Sequence, residues 1–219
     1  MKIVSPQIKF QEISLHLLKE KAVWIPELSS IFIADLHFGK AAHFRKSGIP
    51  IPEPIHWEDL TILTFLINTY KPQNVYFLGD LFHSDLNDQW ETLNHFLRKF
   101  LNVNFHLVLG NHDILSPLEY DLSTFNVFKE PLELKNLVLS HEPLHEIVKD
   151  KINLCGHIHP GIRLVGKARQ SIRLSCFYYK PNQLILPAFG SFTGLALVKP
   201  GLKDQVFGIT NEKVIPILS

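Results

Sequence analysis

Much of what would place this chain at once is scarce or missing. Its 219 residues hold two cysteines, Cys155 and Cys176. Set 21 residues apart in apolar strand-like runs, they fit neither a zinc-ribbon spacing nor a disulfide framework and are expected as buried, reduced thiols. Net charge is almost nil, 22 Lys and Arg against 21 Asp and Glu, so long-range charge alone does not hold the protein on nucleic acid or membrane. No apolar run approaches the ~18 residues of a membrane-spanning helix; the longest candidate is Leu60 to Ile67. The first residues, MKIVSPQIKF, contain no apolar h-region, and a cytoplasmic location is expected. Internal repeats, low-complexity tracts and linkers are also lacking.

What is abundant is histidine, with 12 residues. Imidazole ligates metals and moves protons near neutral pH, so the placement of these residues becomes the question. At 25.2 kDa the chain is expected to fold as one domain over 1–219. A two-domain reading would leave the last 60 residues with a thin core. Short, continuously apolar runs predict strands at Ser30 to Ala34, Asn74 to Leu78, Phe105 to Leu109, Leu137 to Leu139 and Ile152 to Cys155. Between them, Trp57, Leu60, Leu63, Leu66 and Tyr70 form a helical stripe. Asp88 with Glu91 predicts a capping box, and Trp90, Leu93, Phe96, Leu97 and Phe100 a second helical face. A shorter helix is expected from about Lys40 to Lys46, closed by Gly48 and Pro50. After Gly161 alternation takes over, with a Pro181-Asn182 turn between strands.

Polar residues collect directly after each predicted strand, where open α/β sheets bind their ligands. Asp35-Leu36-His37 follows the first; Gly79-Asp80-Leu81-Phe82-His83 the second; Gly110-Asn111-His112-Asp113 the third. His141 follows the fourth and Gly156-His157-Ile158-His159 the fifth. Carboxylates, an amide oxygen and imidazoles form a mixed oxygen and nitrogen set, suited to Mn²⁺, Fe or Zn²⁺ rather than to Ca²⁺ or Mg²⁺. Seven such groups exceed one tetrahedral ion and suit two ions about 3.5–4 Å apart. The preceding glycines 79, 110 and 156 are expected to permit sharp turns. Taken singly, Asp-x-His or Gly-Asp is a common turn pattern; five in order at strand ends is not.

This ordered set, D-x-H, G-D, G-N-H-D, a strand-end His and G-H-x-H over residues 35 to 159, resembles the calcineurin-like metallophosphoesterases. The resemblance implies an α/β fold, a four-layer α/β/β/α sandwich with two central mixed β-sheets. It implies that Asp35, His37, Asp80 and His159 hold one metal and Asp80, Asn111, His141 and His157 a second, with Asp80 bridging. Phosphatase members commonly carry G-D-x-x-D-R-G; here Gly79-Asp80-Leu81-Phe82-His83-Ser84 lacks that Asp and Arg and looks like the Mre11-type nucleases. Asp35 to Ala42, Phe44-Arg45, Gly48-Ile49-Pro50 and Leu186-Pro187-Ala188-Phe189-Gly190-Ser191 are similar to the ligase-associated DNA-damage-response endonucleases (PdeM-like).

The implied activity is a phosphodiesterase with two divalent ions, Mn²⁺ foremost and Fe or Zn²⁺ as alternatives. DNA is the expected substrate and repair the expected role, by in-line attack of a metal-bridging hydroxide. His112 is the candidate general acid, with His83 beside it. Asp113 would either orient His112 or cap the following turn. Lys40, His43, Arg45 and Lys46 on one side, and Arg163, Lys167, Arg169 and Arg173 on the other, are candidates for the nucleic-acid backbone or a solvated charged surface. Phe44 and Phe189 would stack on bases or, as is commoner, lie in the core. Helicase or ligase partners are implied by the branch resemblance alone. The competing readings are hydrolysis of small nucleotides or other phosphoesters and, last, a non-catalytic scaffold. Histidines 16, 43, 56, 95, 106 and 145 are expected to be structural or surface residues.

Overall fold

A computed structural model describes residues 5–40, 55–82, 88–167, 170–191 and 193–217. The chain opens with three strands that the apolar runs do not predict, β1 (Gln7–Phe10), β2 (Ile13–Leu18) and β3 (Ala22–Ile25). They form an antiparallel meander that continues into β4 (Ser30–Ile33). From β4 onward the sheet turns parallel through β5 (Asn74–Leu78), β6 (Asn104–Val108) and β7 (Phe125–Phe128), giving a seven-stranded mixed sheet. The second, nine-stranded sheet holds β8 (Leu132–Leu134), β9 (Leu137–Leu139), β10 (Ile152–Cys155), β11 (Pro160–Val165) and β12 (Ser171–Lys180). It is completed by β13 (Gln183–Ile185), β14 (Ala196–Leu197), β15 (Gln205–Ile209) and β16 (Val214–Ile217). Here β9, β10 and β13 run parallel, and the strands after Gly161 are mostly antiparallel, as the change to alternation predicts.

Period-two alternation sorts each central strand between two cores. Ile31, Ile33, Val75, Phe77, Phe105 and Leu107 pack on one face of the first sheet against α1 (Ile55–Tyr70) and α2 (Asp88–Leu97). Phe32, Ala34, Tyr76, Leu78 and Val108 point the other way, onto Leu139, Leu154, Phe177 and Leu184 of the second sheet. Each fully buried side chain of this size contributes about 1.5–3 kcal/mol. The two mixed sheets therefore lie face to face with helices outside the first. The second sheet's outer side is closed by a small cluster around Cys155, Cys176, Tyr178 and Ile185, with no helix over it among the described residues. Both cysteines are free and buried, and burial pushes the Cys176 thiol up to about 12.

Several boundaries differ from expectation for identifiable reasons. The first strand ends at Ile33, and Ala34 instead forms a bridge with Ala188. The third runs Asn104–Val108, one residue earlier than its apolar run. In α1 the buried stripe is Leu60, Leu63, Leu66 and Ile67; Trp57, one turn earlier, is 60% exposed and lines a depression with His95, Phe96 and Lys99. The second helical face stops at Leu97, and Phe100 packs on Phe96 from the following turn. The Pro181-Asn182 turn joins β12 to β13, with Asn182 left-handed (φ 59°). The expected Lys40 to Lys46 helix beyond residue 40 and the Asp88 side chain lie outside the described residues.

Candidate metal centre

The carboxyl ends of β4, β5 and β6 from one sheet and β9 and β10 from the other meet at one edge of the sandwich. Asp35 N donates to Gly79 O (3.2 Å), His37 N to Asp80 O (2.8 Å) and Gly156 N to His141 O (3.0 Å), so neighbouring loops are laced by main-chain bonds. Immediately beyond their strands the chains bend into the left-handed region at Asp35 (φ 54°), His37 (47°), Asp80 (48°), His157 (68°) and His159 (51°). Such conformations cost on the order of 1–3 kcal/mol each, and Asp and His tolerate them better than most residues. Five of the seven proposed ligands thus sit on strained backbone that turns their side chains inward together.

Space for them comes from glycines, and Gly79 also makes the sharp turn expected of it. A Cβ on Gly79 would stand 2.3 Å from His141 Nδ1, and one on Gly156 2.4 Å from Asp35 Oδ2. Each missing side chain is filled by a ligand from the opposite sheet. Gly79 alone also needs the freedom of glycine for its φ of 75°.

The side chains brought together are two carboxylates, an amide and imidazoles. His37 Nε2 lies 3.4 Å from His159 Nε2 and 3.7 Å from Asp80 Oδ2, and His159 Nε2 lies 3.6 Å from Asp35 Oδ1. A second group forms around His141 Nε2: Asn111 Oδ1 at 2.9 Å, His157 Nδ1 at 3.0 Å and Asp80 Oδ1 at 3.4 Å. Asp35 and Asp80 are 0% and 3% exposed. Asp80 reaches both groups with its two oxygens, and Asp35 also borders both.

These contacts fit divalent cations. His141 Nδ1 faces the Leu78 carbonyl (3.2 Å), which assigns the proton to Nδ1 and leaves Nε2 with its lone pair. That lone pair then faces the Asp80 Oδ1 carboxylate oxygen at 3.4 Å, with the Asn111 side-chain amide also in contact, and a shared cation reconciles the two acceptors. Asp35 Oδ1 is buried without a hydrogen-bond donor, while its Oδ2 accepts from His157 N (2.9 Å). An uncompensated buried carboxylate oxygen costs several kcal/mol, which coordination removes.

Around this centre stand residues that no local sequence pattern singles out. Glu130 Oε2 accepts from the main-chain nitrogens of His141 (2.6 Å) and Glu142 (3.3 Å), fixing the His141 loop. Buried Asn153 donates to Val138 O and Ser140 Oγ, both at 2.9 Å, bracing the strand end before it. Asp59 on α1 accepts from Ser191 N (3.0 Å) and Oγ (2.6 Å). Phe189 N and Gly190 N in turn donate to Ala34 O (2.8 Å) and Asp35 O (3.2 Å), so the Leu186 to Ser191 segment crosses beneath the Asp35 loop.

The remaining candidates divide. Asp113 fastens the loops before it rather than the turn after it: Oδ1 accepts from Leu81 N (3.0 Å) and Phe82 N (3.2 Å), Oδ2 from Gly110 N (2.9 Å). Burial pushes its carboxyl up to about 6 against those bonds. His112 is exposed, its N–H donating to Asp80 Oδ1 (3.0 Å) and its ring 5.9 Å from that of His37. Lys40 N donates to His37 O (3.2 Å), which holds its backbone beside the centre. His83, His43, Phe44, Arg45, Lys46 and Arg169 lie outside the described residues. Phe189 is 2% exposed in the helix-side core, not a stacking platform. His106 pairs with Asn74 Oδ1 (3.0 Å) and stacks on Tyr76, a structural role.

The family model of the calcineurin-like phosphoesterases matches residues 28–180, a span that contains every converging side chain above. The chain belongs to that family. As a calcineurin-like phosphoesterase it is a metal-dependent hydrolase of phosphoesters, and the family's divalent metals have their candidate ligands in the two groups described. Among solved structures, Pseudomonas putida nuclease MPE is similar with a TM-score of 0.77 and 26% identity, over 97% of this chain and 99% of that one. The E. coli phosphoesterase Yfce gives a TM-score of 0.41 at 16% identity, over 83% of this chain and 88% of its own. No curated protein matches the sequence.

Proposed function

We infer that this phosphoesterase is a two-metal DNA nuclease, an endonuclease acting in DNA repair and using Mn²⁺. What carries the reading is the end-to-end likeness to a nuclease, 97% of one chain on 99% of the other, in a chain whose seven ligand positions are all filled. In this reading Asp35, His37, Asp80 and His159 hold one ion and Asp80, Asn111, His141 and His157 the other. Two bound divalent ions supply Lewis-acid activation of water and charge neutralisation at the phosphoryl oxygens.

The chain's own residues do the rest. Asp80, using both oxygens, ties the two groups to one spacing. His112 stands exposed at the mouth with its backbone anchored on Asp80, positioned to hold a proton for the leaving oxygen. Glu130 and Asp113 keep the His141 and Asp80 loops in place. The buried carboxylates leave solvent access to the side of Asn111, His112 and His157, where a long polymer can pass.

The test is activity of chelated protein on defined single- and double-stranded DNA with Mn²⁺, Fe²⁺ or Zn²⁺ restored separately. Bis-p-nitrophenyl phosphate and cyclic nucleotides serve as small-ester comparators. Mn²⁺-restored internal cleavage of DNA is expected. Hydrolysis of the small esters with DNA left intact would replace the reading by a small-molecule phosphodiesterase.

A further inference from the structure

Charge is unevenly placed in this nearly neutral chain. Residues 151–203 contain eight Lys and Arg and neither Asp nor Glu, so this stretch carries +8 and the remainder −7. The stretch includes the His157–His159 loop and runs straight from it into β11 at Pro160. β11 pairs antiparallel with β12, and the register sets Arg163 directly opposite Arg173. The neighbouring pairs on that face are Gly161 with Ser175, where Leu195 packs, and Val165 with Ser171, and none of them carries a charge. Alternation sends Ile162, Leu164, Ile172 and Leu174 to the other face. Ile162 packs on the outer core cluster, and Leu174 reaches the Gly208 strand.

Directly opposed cross-strand residues have Cβ atoms about 4.5–5.5 Å apart, and like charges there are destabilising. Neither arginine makes an ion pair among the described residues. The carboxylate that lines the adjoining depression, Asp204, accepts through Oδ2 from Tyr178 Oη (2.5 Å) and Gly201 N (2.8 Å). An anion between the guanidinium groups would relieve the repulsion and use their forked donors. Arg163 lies four positions along the chain from His159, about 13 Å at extended rise. A DNA strand places roughly one phosphate per 3.4 Å of duplex axis, so this reach is about four phosphates.

We propose that the Arg163–Arg173 face of the β11–β12 hairpin binds the phosphate backbone of the DNA substrate about four phosphates from the scissile bond. The proposal rests on the nuclease reading for its substrate, but binding and cleavage separate the two. The experiment measures labelled-DNA binding by the full chain in chelator, from 50 to 200 mM salt, alongside Mn²⁺-dependent DNA cleavage by the unaltered protein. Arg163→Ala/Arg173→Ala is compared with Arg163→Lys/Arg173→Lys and with Lys9→Ala/Lys213→Ala. The last pair removes equal charge from exposed residues outside the basic stretch.

The alanine pair is expected to weaken binding about tenfold or more and to reduce the salt slope by about 2, one for each phosphate that no longer meets a guanidinium. The lysine pair should retain most of the slope, since both charges remain. Unchanged binding and slope in the alanine pair, equal weakening in the Lys9/Lys213 control, or no DNA binding by the unaltered chain would each overturn the proposal. Arginine-dependent binding without cleavage would sink the nuclease reading and leave the hairpin assignment standing. Cleavage with arginine-independent binding would do the reverse.

Discussion

The two sheets contribute unlike halves to the centre. The first delivers both carboxylates and the amide, Asp35, Asp80 and Asn111, together with His37. The second delivers imidazoles only, His141, His157 and His159, the last two from within a stretch devoid of acids. Burial does not follow the same division: Asp35, His37 and Asp80 of the first half and His141 of the second are at most 6% exposed, whereas Asn111 and His157 are open to solvent and the His159 side chain is 17% exposed. In the proposed two-metal reading, the acidic half would attract the cations and the neutral half would complete their coordination without adding negative charge. With two divalent ions bound, two carboxylates leave the centre net positive, which favours a phosphodiester. A nearly neutral protein can thus attract phosphate at a seam between unlike halves.

Breaking the shared residue should erase the distinction. Among the described residues, Asp80 alone reaches both nitrogen groups with separate oxygens, and Asp80→Ala removes it. Loss of both ions and on the order of 10⁴-fold in rate or more is expected. Elemental analysis checks this; one tightly retained ion would show that Asp80 does not bridge. His112→Ala leaves both halves intact and should keep two ions while losing about 10²–10⁴ in rate. A fall in metal content there would make His112 a ligand.

A narrower change sharpens the comparison by loosening the second half alone. Glu130→Gln keeps an oxygen for the His141 N–H but removes its charge, weakening a 2.6 Å charge-assisted bond. Outer supports of metal ligands typically affect affinity 10–100-fold. The ion nearest His141 should weaken by about that much, with the His37–His159 ion unaffected. Metal titration with two resolved steps would show it; equal weakening of both steps would mean that the halves are not separately held.

How far this arrangement can be read from sequence follows from the range of each interaction. The strands at Asn74–Leu78, Leu137–Leu139 and Ile152–Cys155 are legible because burial on both faces writes a continuous apolar run. The same criterion misses β2, where Ile13, Leu15 and Leu17 alternate with half-buried residues. Asp-x-His and Gly-His-x-His stand out because their polar residues directly follow buried strands. The glycines are legible as positions but only partly in purpose, since the Gly79 contact is with His141, from the other sheet. Glu130 and Asp59 carry no local signal, because their partners lie 11 and 132 residues away, and the bonds of Asp113 to Leu81 and Phe82, 32 and 31 residues away, are equally invisible in the motif that contains it. A side chain whose role is to fasten a remote loop reads, in its own neighbourhood, as an ordinary turn or helix residue.

Asp59 offers the mildest way to probe how the halves are joined. It fastens α1, on the first sheet, to Ser191, at the end of the segment that crosses over from β13. Burial pushes its carboxyl up to about 6, outweighing the Ser191 bonds and the charge of Lys21, which favour ionisation. Because the folded value lies above the ordinary 3.8, the fold binds this proton more tightly than the unfolded chain does. The resulting stabilisation is complete below that ordinary value and is lost as pH rises through about 6. Asp59→Asn retains an acceptor for Ser191 and cannot ionise, so its Tm should fall less between about pH 4 and pH 7 than that of the unaltered protein. At this chain length each kcal/mol corresponds to about 2–4 °C, so the two Tm profiles should diverge by several degrees while activity changes only a few-fold. Parallel profiles would place Asp59 outside the coupling between the sheets and assign the crossing segment to its main-chain bonds alone.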